Sequence, residues 1–303
     1  MKYFKPLTVF VIGFLILVFS QSFQQLSLIN FATQMVLFGL VVCWPIWKTG
    51  RMSYVDIGWP WGLFCIGVIS LLLGEGDPWR VNIVGGIYII IGMRMGMGAL
   101  QLWRKGYLKK EFPRYQYQRR RWERAGKTNV QLAMQVDAIA QGLANASFLA
   151  MPAFIIASNP DPAFSVFEIV GLIIWILAII MESVADAQKL SFLRKMSSLG
   201  EKNKVCDVGL WKYTRHPNYF AEWMVWNGLV IAAIPSWWAL MTKESLPIWI
   251  LLGLGLLFVS RIMYLYLVYL TGAAPAEYYS LQKRPDYAAY KERVNMFFPG
   301  RPK

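Results

Sequence analysis

The chain is poor in the residues that hold metals and in the charge that keeps a soluble domain in water. Its 303 residues include one histidine, three cysteines and only 17 acidic side chains against 31 basic ones. Cys43, Cys65 and Cys206 are too few and too scattered to frame disulfides or a thiolate site. His216 stands alone, so zinc and haem ligation fit the sequence badly and no metal is expected. No serine or cysteine nucleophile is arranged around it either. Charged residues make up 16% of the chain, where soluble domains carry about 25%. No G-x-G-x-x-G follows a strand pattern and no G-x-x-x-x-G-K-[ST] occurs, which argues against Rossmann and P-loop units.

What fills the chain is apolar. Hydrophobic residues reach 56%, with 14 Trp, 15 Tyr and 18 Phe, and the mean hydropathy is +0.40. Eight apolar runs, at about 6–20, 29–47, 57–73, 81–102, 132–156, 164–181, 218–240 and 246–270, come close to the roughly 20 residues that a spanning helix needs. The fold expected is an all-α polytopic membrane helix bundle of about eight transmembrane helices. Residues 5–19 have the apolar core of a signal peptide but no small-residue cleavage site after it, so a retained first helix is expected.

The loops alternate in charge. Residues 104–127 carry ten Lys or Arg, and 186–215 carry seven positives against three negatives. The tail from 277 is basic, whereas 20–30 is uncharged and 157–163 has only Asp161. An eight-span path with both termini in the cytoplasm puts every basic loop inside. Topology and anionic headgroups thus account for the net charge of +14, and no nucleic acid is needed. Residues 1–50 are read as N-terminal transmembrane helices and 51–303 as a catalytic membrane domain.

Four stretches are polar where an apolar bundle has no need of it. Residues 209–223 read GLWKYTRHPNYFAEW and place Arg215, His216, Asn218, Tyr219 and Glu222 together. Pro217 suits a first helical turn, which puts Asn218 and Glu222 on one face. Before it, Glu182, Asp186 and Lys189 recur at i, i+4 and i+7, followed by Arg194 and Lys195. That face is either a frayed, paired helix end or a polar wall for the hydroxyls, amide and phosphates of a nucleotide. Residues 106–127 alternate arginines with aromatics after Pro113-Arg114-Tyr115. This suits a lipid-facing surface, or else phosphate forks beside stacking rings. The tail, 275–299, holds Glu277, Lys283, Arg284, Tyr287 and Tyr290 before an apolar Met-Phe-Phe-Pro end, and it reads as an amphipathic element closing over something. Arg94 and Arg261 lie inside apolar runs, where a charge must snorkel, pair or line a cavity. Asp56 stands at an interface beside Trp59 and Trp61.

These pieces together, Asp56 and Trp59, Arg94 with Pro113-Arg114-Tyr115, ESVADAQKLSF at 182–192, GLWKYTRHPNYFAEW and the 277–299 tail, resemble the bacterial, domain-of-unknown-function branch of the steroid 5-alpha-reductase family. The RHPNY run also resembles isoprenylcysteine carboxyl methyltransferases and sterol C14 reductases. The resemblance implies an NADPH-dependent, 3-oxo-5-alpha-steroid 4-dehydrogenase-like reduction of an enone C=C bond in an apolar, membrane-soluble lipid. The alternative is an S-adenosylmethionine-dependent membrane methyltransferase. It further implies cofactor contacts at Arg94, Arg114, Tyr115, Glu182, Asp186, Lys189, Arg194, Arg215, His216, Asn218, Arg284 and Tyr287, with Glu222, Asp56 and Tyr219 as catalytic candidates. Glu182 stands where the steroid enzymes have an asparagine, and Ile91 where their carbonyl-binding tyrosine is expected. The setting implied is a bacterial inner membrane with the cofactor site facing the cytoplasm, anionic lipids at the basic loops and no obligate protein partner.

Overall fold

The computed structural model describes residues 2–303, and no strand occurs among them. Several helices begin where the sequence supplies proline or a cap. In α5 (Pro78–Arg104), Asp77 accepts from the amides of Trp79 at 3.0 Å and Arg80 at 3.3 Å, and Pro78 supplies the N-terminal turn. Proline also opens α6 (Pro113–Arg124) and α10 (Pro217–Ala239), the latter at the residue whose missing N–H fits a first turn.

All eight apolar runs are helical, and seven belong to helices long and apolar enough to cross a membrane. The protein is therefore a polytopic membrane helix bundle. The first run, α1 (Lys5–Phe19), has 15 residues, about 22 Å of helix, short of a hydrocarbon core of about 30 Å. The second combines α2 (Gln24–Leu37) and α3 (Trp44–Thr49) through a π-helical turn at Phe38–Cys43. It is followed by α4 (Val55–Leu73) and then α5. The fifth run is split into α7 (Val130–Ala146) and α8 (Met151–Ala157) at Ser147, whose φ −126° and ψ −106° leave the helical region, and Pro152 falls in the first turn of α8, where its missing N–H is no loss. Its successor α9 (Val166–Ser198) runs 33 residues, about 50 Å, so its last turns extend beyond the apolar segment. After α10 come α11 (Leu246–Leu265), a π-helical turn at Tyr266–Leu270, α12 (Ala273–Lys283) and α13 (Tyr287–Arg293).

The chain packs as two compact units. The first comprises residues through Ile169 together with Val230–Val259. Its core joins Phe38, Val42 and Ile46 to Met134 and Ala138 of α7, and to Tyr115 and Trp122 of the basic α6. The arginine-rich segment is thus docked by two buried aromatics rather than lying loose. Several polar side chains buried in this unit bond to one another. Arg80 donates to Glu168 at 2.5 Å, and Glu244 accepts from Ser20 Oγ at 2.7 Å and from the Ser22 amide at 2.9 Å. Asn30, Gln34 and Asn145 form a buried knot: Gln34 Nε2 donates to Asn30 Oδ1 at 3.0 Å and to the Gly62 carbonyl at 2.9 Å, and Asn145 Nδ2 donates to the Trp59 carbonyl at 3.0 Å. Gly62 is what makes room for it, since a Cβ there would collide with the Asn145 and Gln34 amides. The second unit, Val170–Leu229 with Ser260–Lys303, carries most of the polar stretches.

Candidate functional site

In the second unit the motif segment is held from both sides of the sequence. Gly209 takes a left-handed turn at φ +55°, packed against Gln188, and Gln188 Oε1 accepts from the Leu210 amide at 2.9 Å. Trp211 is thereby laid on α9, its Nε1 donating to the Ala185 carbonyl at 2.9 Å, and the Lys189 ammonium sits 4.1 Å above its ring. From the other side the tail closes on residues 213–216. Thr214 Oγ1 donates to the Phe297 carbonyl at 2.9 Å, the Arg215 amide to Asn295 at 2.9 Å, and the Gly300 amide to Tyr213 at 2.9 Å. The expected closing element is real, and what it closes over is the Tyr213–His216 segment.

Arg215 and His216 converge on Glu277. Arg215 Nε donates to Glu277 Oε1 at 2.6 Å, and Arg215 Nη1 donates to the carbonyls of Lys291 (2.9 Å) and Val294. His216 Nε2 lies 3.3 Å from the same Glu277 oxygen. Burial pulls the imidazole below its ordinary pKa, with Glu277 opposing and Arg215 adding to the shift. A neutral ring facing a carboxylate, which only accepts, carries its proton on Nε2 and leaves Nδ1 as an acceptor. The ring stacks on Tyr219, 5.3 Å between centroids at 6°. Burial also raises the phenols of Tyr287 and Tyr290 and the Cys206 thiol, so all three are neutral at physiological pH.

A cavity of about 340 Å³ opens between α9, the 205–211 segment, the start of α10 and the tail helices. Ligand pockets start at about 300 Å³. It gathers eight of the cofactor and catalytic candidates named above: Asp186, Lys189, Arg215, His216, Asn218, Tyr219, Arg284 and Tyr287. Asn218 Nδ2 donates to Asp186 Oδ1 at 3.1 Å, which fixes the amide, while its Oδ1 is buried with no hydrogen-bond partner. Arg284 Nη1 donates to Ser280 Oγ at 2.8 Å. Cations, one oriented amide and aromatic rings thus line the cavity together.

The remaining site residues fall elsewhere. Glu182 is buried on α9, Arg194 is exposed on the same helix, and Glu222 is half-buried on α10; none of them lines the cavity. Asp56, Arg94, Arg114 and Tyr115 belong to the first unit. There Asp56 accepts from Tyr115 Oη at 2.6 Å and pairs with Arg114, so both carboxylate oxygens are engaged in fastening α6 to α4. Burial and the Asp56 charge hold the Tyr115 phenol well above its usual pKa. Arg94 is half-buried on α5. The structure also gives roles that the sequence left unassigned. Glu277 is the shared carboxylate, and Trp211, Cys206, Ser280 and Tyr290 line the cavity. In the sequence Glu277 was visible as a carboxylate in a basic tail, but nothing there marked Arg215 as its partner.

An uncharacterized protein of Schizosaccharomyces pombe is 25% identical to this chain over 175 residues, 52% of the chain and 44% of that protein. The chain thus spans less than half the length of the curated relative it matches. No solved structure matches significantly. The family described as "Protein of unknown function (DUF1295)" matches residues 43–294, a range that takes in the basic loop, the motif segment, Glu277 and both tail helices. The chain belongs to that family.

Proposed function

We propose that the second unit binds NADPH and that the protein reduces an activated C=C bond in an apolar, membrane-soluble substrate, as in the steroid 5-alpha-reductase family that its motifs resemble. One observation carries the reading. Asn218 Oδ1 is a buried acceptor without a donor, on an amide already oriented by Asp186 and lining a cavity with Lys189 and Arg284. A buried unsatisfied acceptor costs about 1–3 kcal/mol, which a primary carboxamide N–H such as that of nicotinamide would relieve. The residues therefore fit the group.

When bound, reduced nicotinamide supplies a hydride for the β-carbon of an α,β-unsaturated carbonyl. Asn218 orients the carboxamide. Lys189 and Arg284 hold phosphate oxygens, for which Arg215 has little left to offer. Tyr219, stacked on the His216 ring, offers its O–H to charge that develops on the carbonyl oxygen. Glu222 lies one turn beyond Asn218 on the same face of α10, outside the cavity lining. Asp56 and Arg114 pair with each other in the first unit and are not assigned a role in this cavity. An apolar substrate arriving from lipid keeps the site dry. The setting proposed is a bacterial inner membrane with this site on the cytoplasmic side, anionic lipids at the basic loops and no obligate protein partner.

The test is loss of reduced-nicotinamide absorbance when detergent-purified protein meets a panel of apolar enones. Enone-dependent NADPH oxidation, lost in Asn218→Ala, supports the reading. Methyl transfer from S-adenosylmethionine with no NADPH oxidation replaces it by the methyltransferase alternative.

A further inference from the structure

Beside the cavity of Lys189 and Asn218 lies a second one of about 270 Å³, and the two share Val205 and Tyr290 as walls. Phe192 and Met196 of α9 give the second cavity an apolar side. Lys204 and Asp207 come from the loop after α9, and Asp286 and Arg293 from the two ends of α13.

We propose that this second cavity takes the adenosine end of the dinucleotide and that Lys204 and Arg293 select NADPH over NADH by holding its 2′-phosphate. The inference rests on the dinucleotide reading above. Two observations carry it. The first is the division of space: two cavities of comparable size meet at one tyrosine, as two nucleoside halves meet at a pyrophosphate. Lys189 and Arg284 line the first cavity alone, and Tyr290 with Phe192 offers rings for a base.

The second observation is which cations are free to turn. Arg215 is committed to Glu277 and two carbonyls, and Arg114 to Asp56. Lys204 and Arg293 are held only loosely, to Glu201 at 3.5 Å and to Asp207 at 3.8 Å. All four of those side chains are about half exposed, so each pair contributes little to stability and gives way cheaply to a dianionic phosphate. An arginine fork and a lysine point charge together suit a phosphate monoester. Asp286 remains to accept from a ribose hydroxyl. Without the two cations the same cavity, with Asp207 and Asp286, would suit an unphosphorylated ribose instead.

Calorimetric titration of NADPH, NADH and 2′-phospho-AMP into wild type, Lys204→Ala, Arg293→Ala and the double variant tests the assignment. Each single variant should weaken NADPH roughly tenfold or more, as for loss of a charge-assisted hydrogen bond. NADH should move by no more than about twofold, since the exposed pairs themselves contribute little. The double variant should lose 2′-phospho-AMP. Met196→Trp, which fills the cavity, should weaken both dinucleotides. Equal losses for NADPH and NADH in the cation variants, or no loss, overturn the assignment while leaving the dinucleotide reading intact. Failure of the wild type to bind either dinucleotide overturns that reading itself.

Discussion

Arg215 Nε donates to Glu277 Oε1 at 2.6 Å, and the two side chains are only 5% and 4% exposed. A buried pair of this kind adds little over an apolar substitute, but breaking it strands a charge. Glu277→Ala should therefore destabilise the second unit by about 3–5 kcal/mol. Arg215 is also bonded to the carbonyls of Lys291 and Val294, so the tail should loosen with it. Thermal unfolding followed by tryptophan fluorescence, together with tryptic cleavage at Arg293, reads both effects. A wild-type melting point and an uncut tail would contradict them.

The protonation of His216 gives a pH dependence with a definite sign. Its folded pKa is depressed by burial, so the unfolded chain binds the proton more readily. Stability is fully present above the unfolded value of about 6.5 and falls as pH drops from there toward the lower folded value. Melting at pH 5.5 should thus be lower than at pH 7.5 by an amount that His216→Gln reduces. The Arg215–Glu277 ion pair faces the ring in both proteins and so does not supply the difference. A slope unchanged by the substitution would assign it to other groups.

Asn218 is held by Asp186 at 3.1 Å, and this makes its two obvious substitutions differ. Asn218→Ala removes the oriented acceptor and should weaken cofactor binding about tenfold. Asn218→Asp keeps the size but sets a second carboxylate against Asp186, so binding should fail at neutral pH and partly recover in acid as one proton is shared. Titrations at two pH values separate the outcomes. Identical behaviour of the two variants would show that the amide is not oriented as described.

Gly62 tests the first unit independently. A methyl group there would strike the Asn145 and Gln34 amides, which bond the Trp59 and Gly62 carbonyls inside the bundle. Gly62→Ala should cost about 1–3 kcal/mol for buried groups left unpaired. Gly86, with open space at its Cβ position, is the control. Equal melting of Gly62→Ala and Gly86→Ala would remove the role given to the knot.

The helices were legible because hydrophobic run length and proline placement are local signals. Pro217 starts α10 where expected, and each apolar run became a helix. Their irregularities were not. The π-helical turns at Phe38–Cys43 and Tyr266–Leu270 leave no mark in hydropathy. In the cavity, spacing on one helix brought Asp186 and Lys189 forward, and the proline turn brought Asn218 and Tyr219. Roles that depend on partners distant in sequence stayed hidden. Nothing local in the sequence marked Glu277 and the tail carbonyls as partners of Arg215, or Arg114 and Tyr115 as partners of Asp56.

The most direct test is calorimetric titration of the detergent-purified wild type with NADPH and, separately, with S-adenosylmethionine. The account predicts saturable NADPH binding with one site per chain, weakened about tenfold in Asn218→Ala, and no heat from S-adenosylmethionine. Saturable S-adenosylmethionine binding with none from NADPH would contradict it.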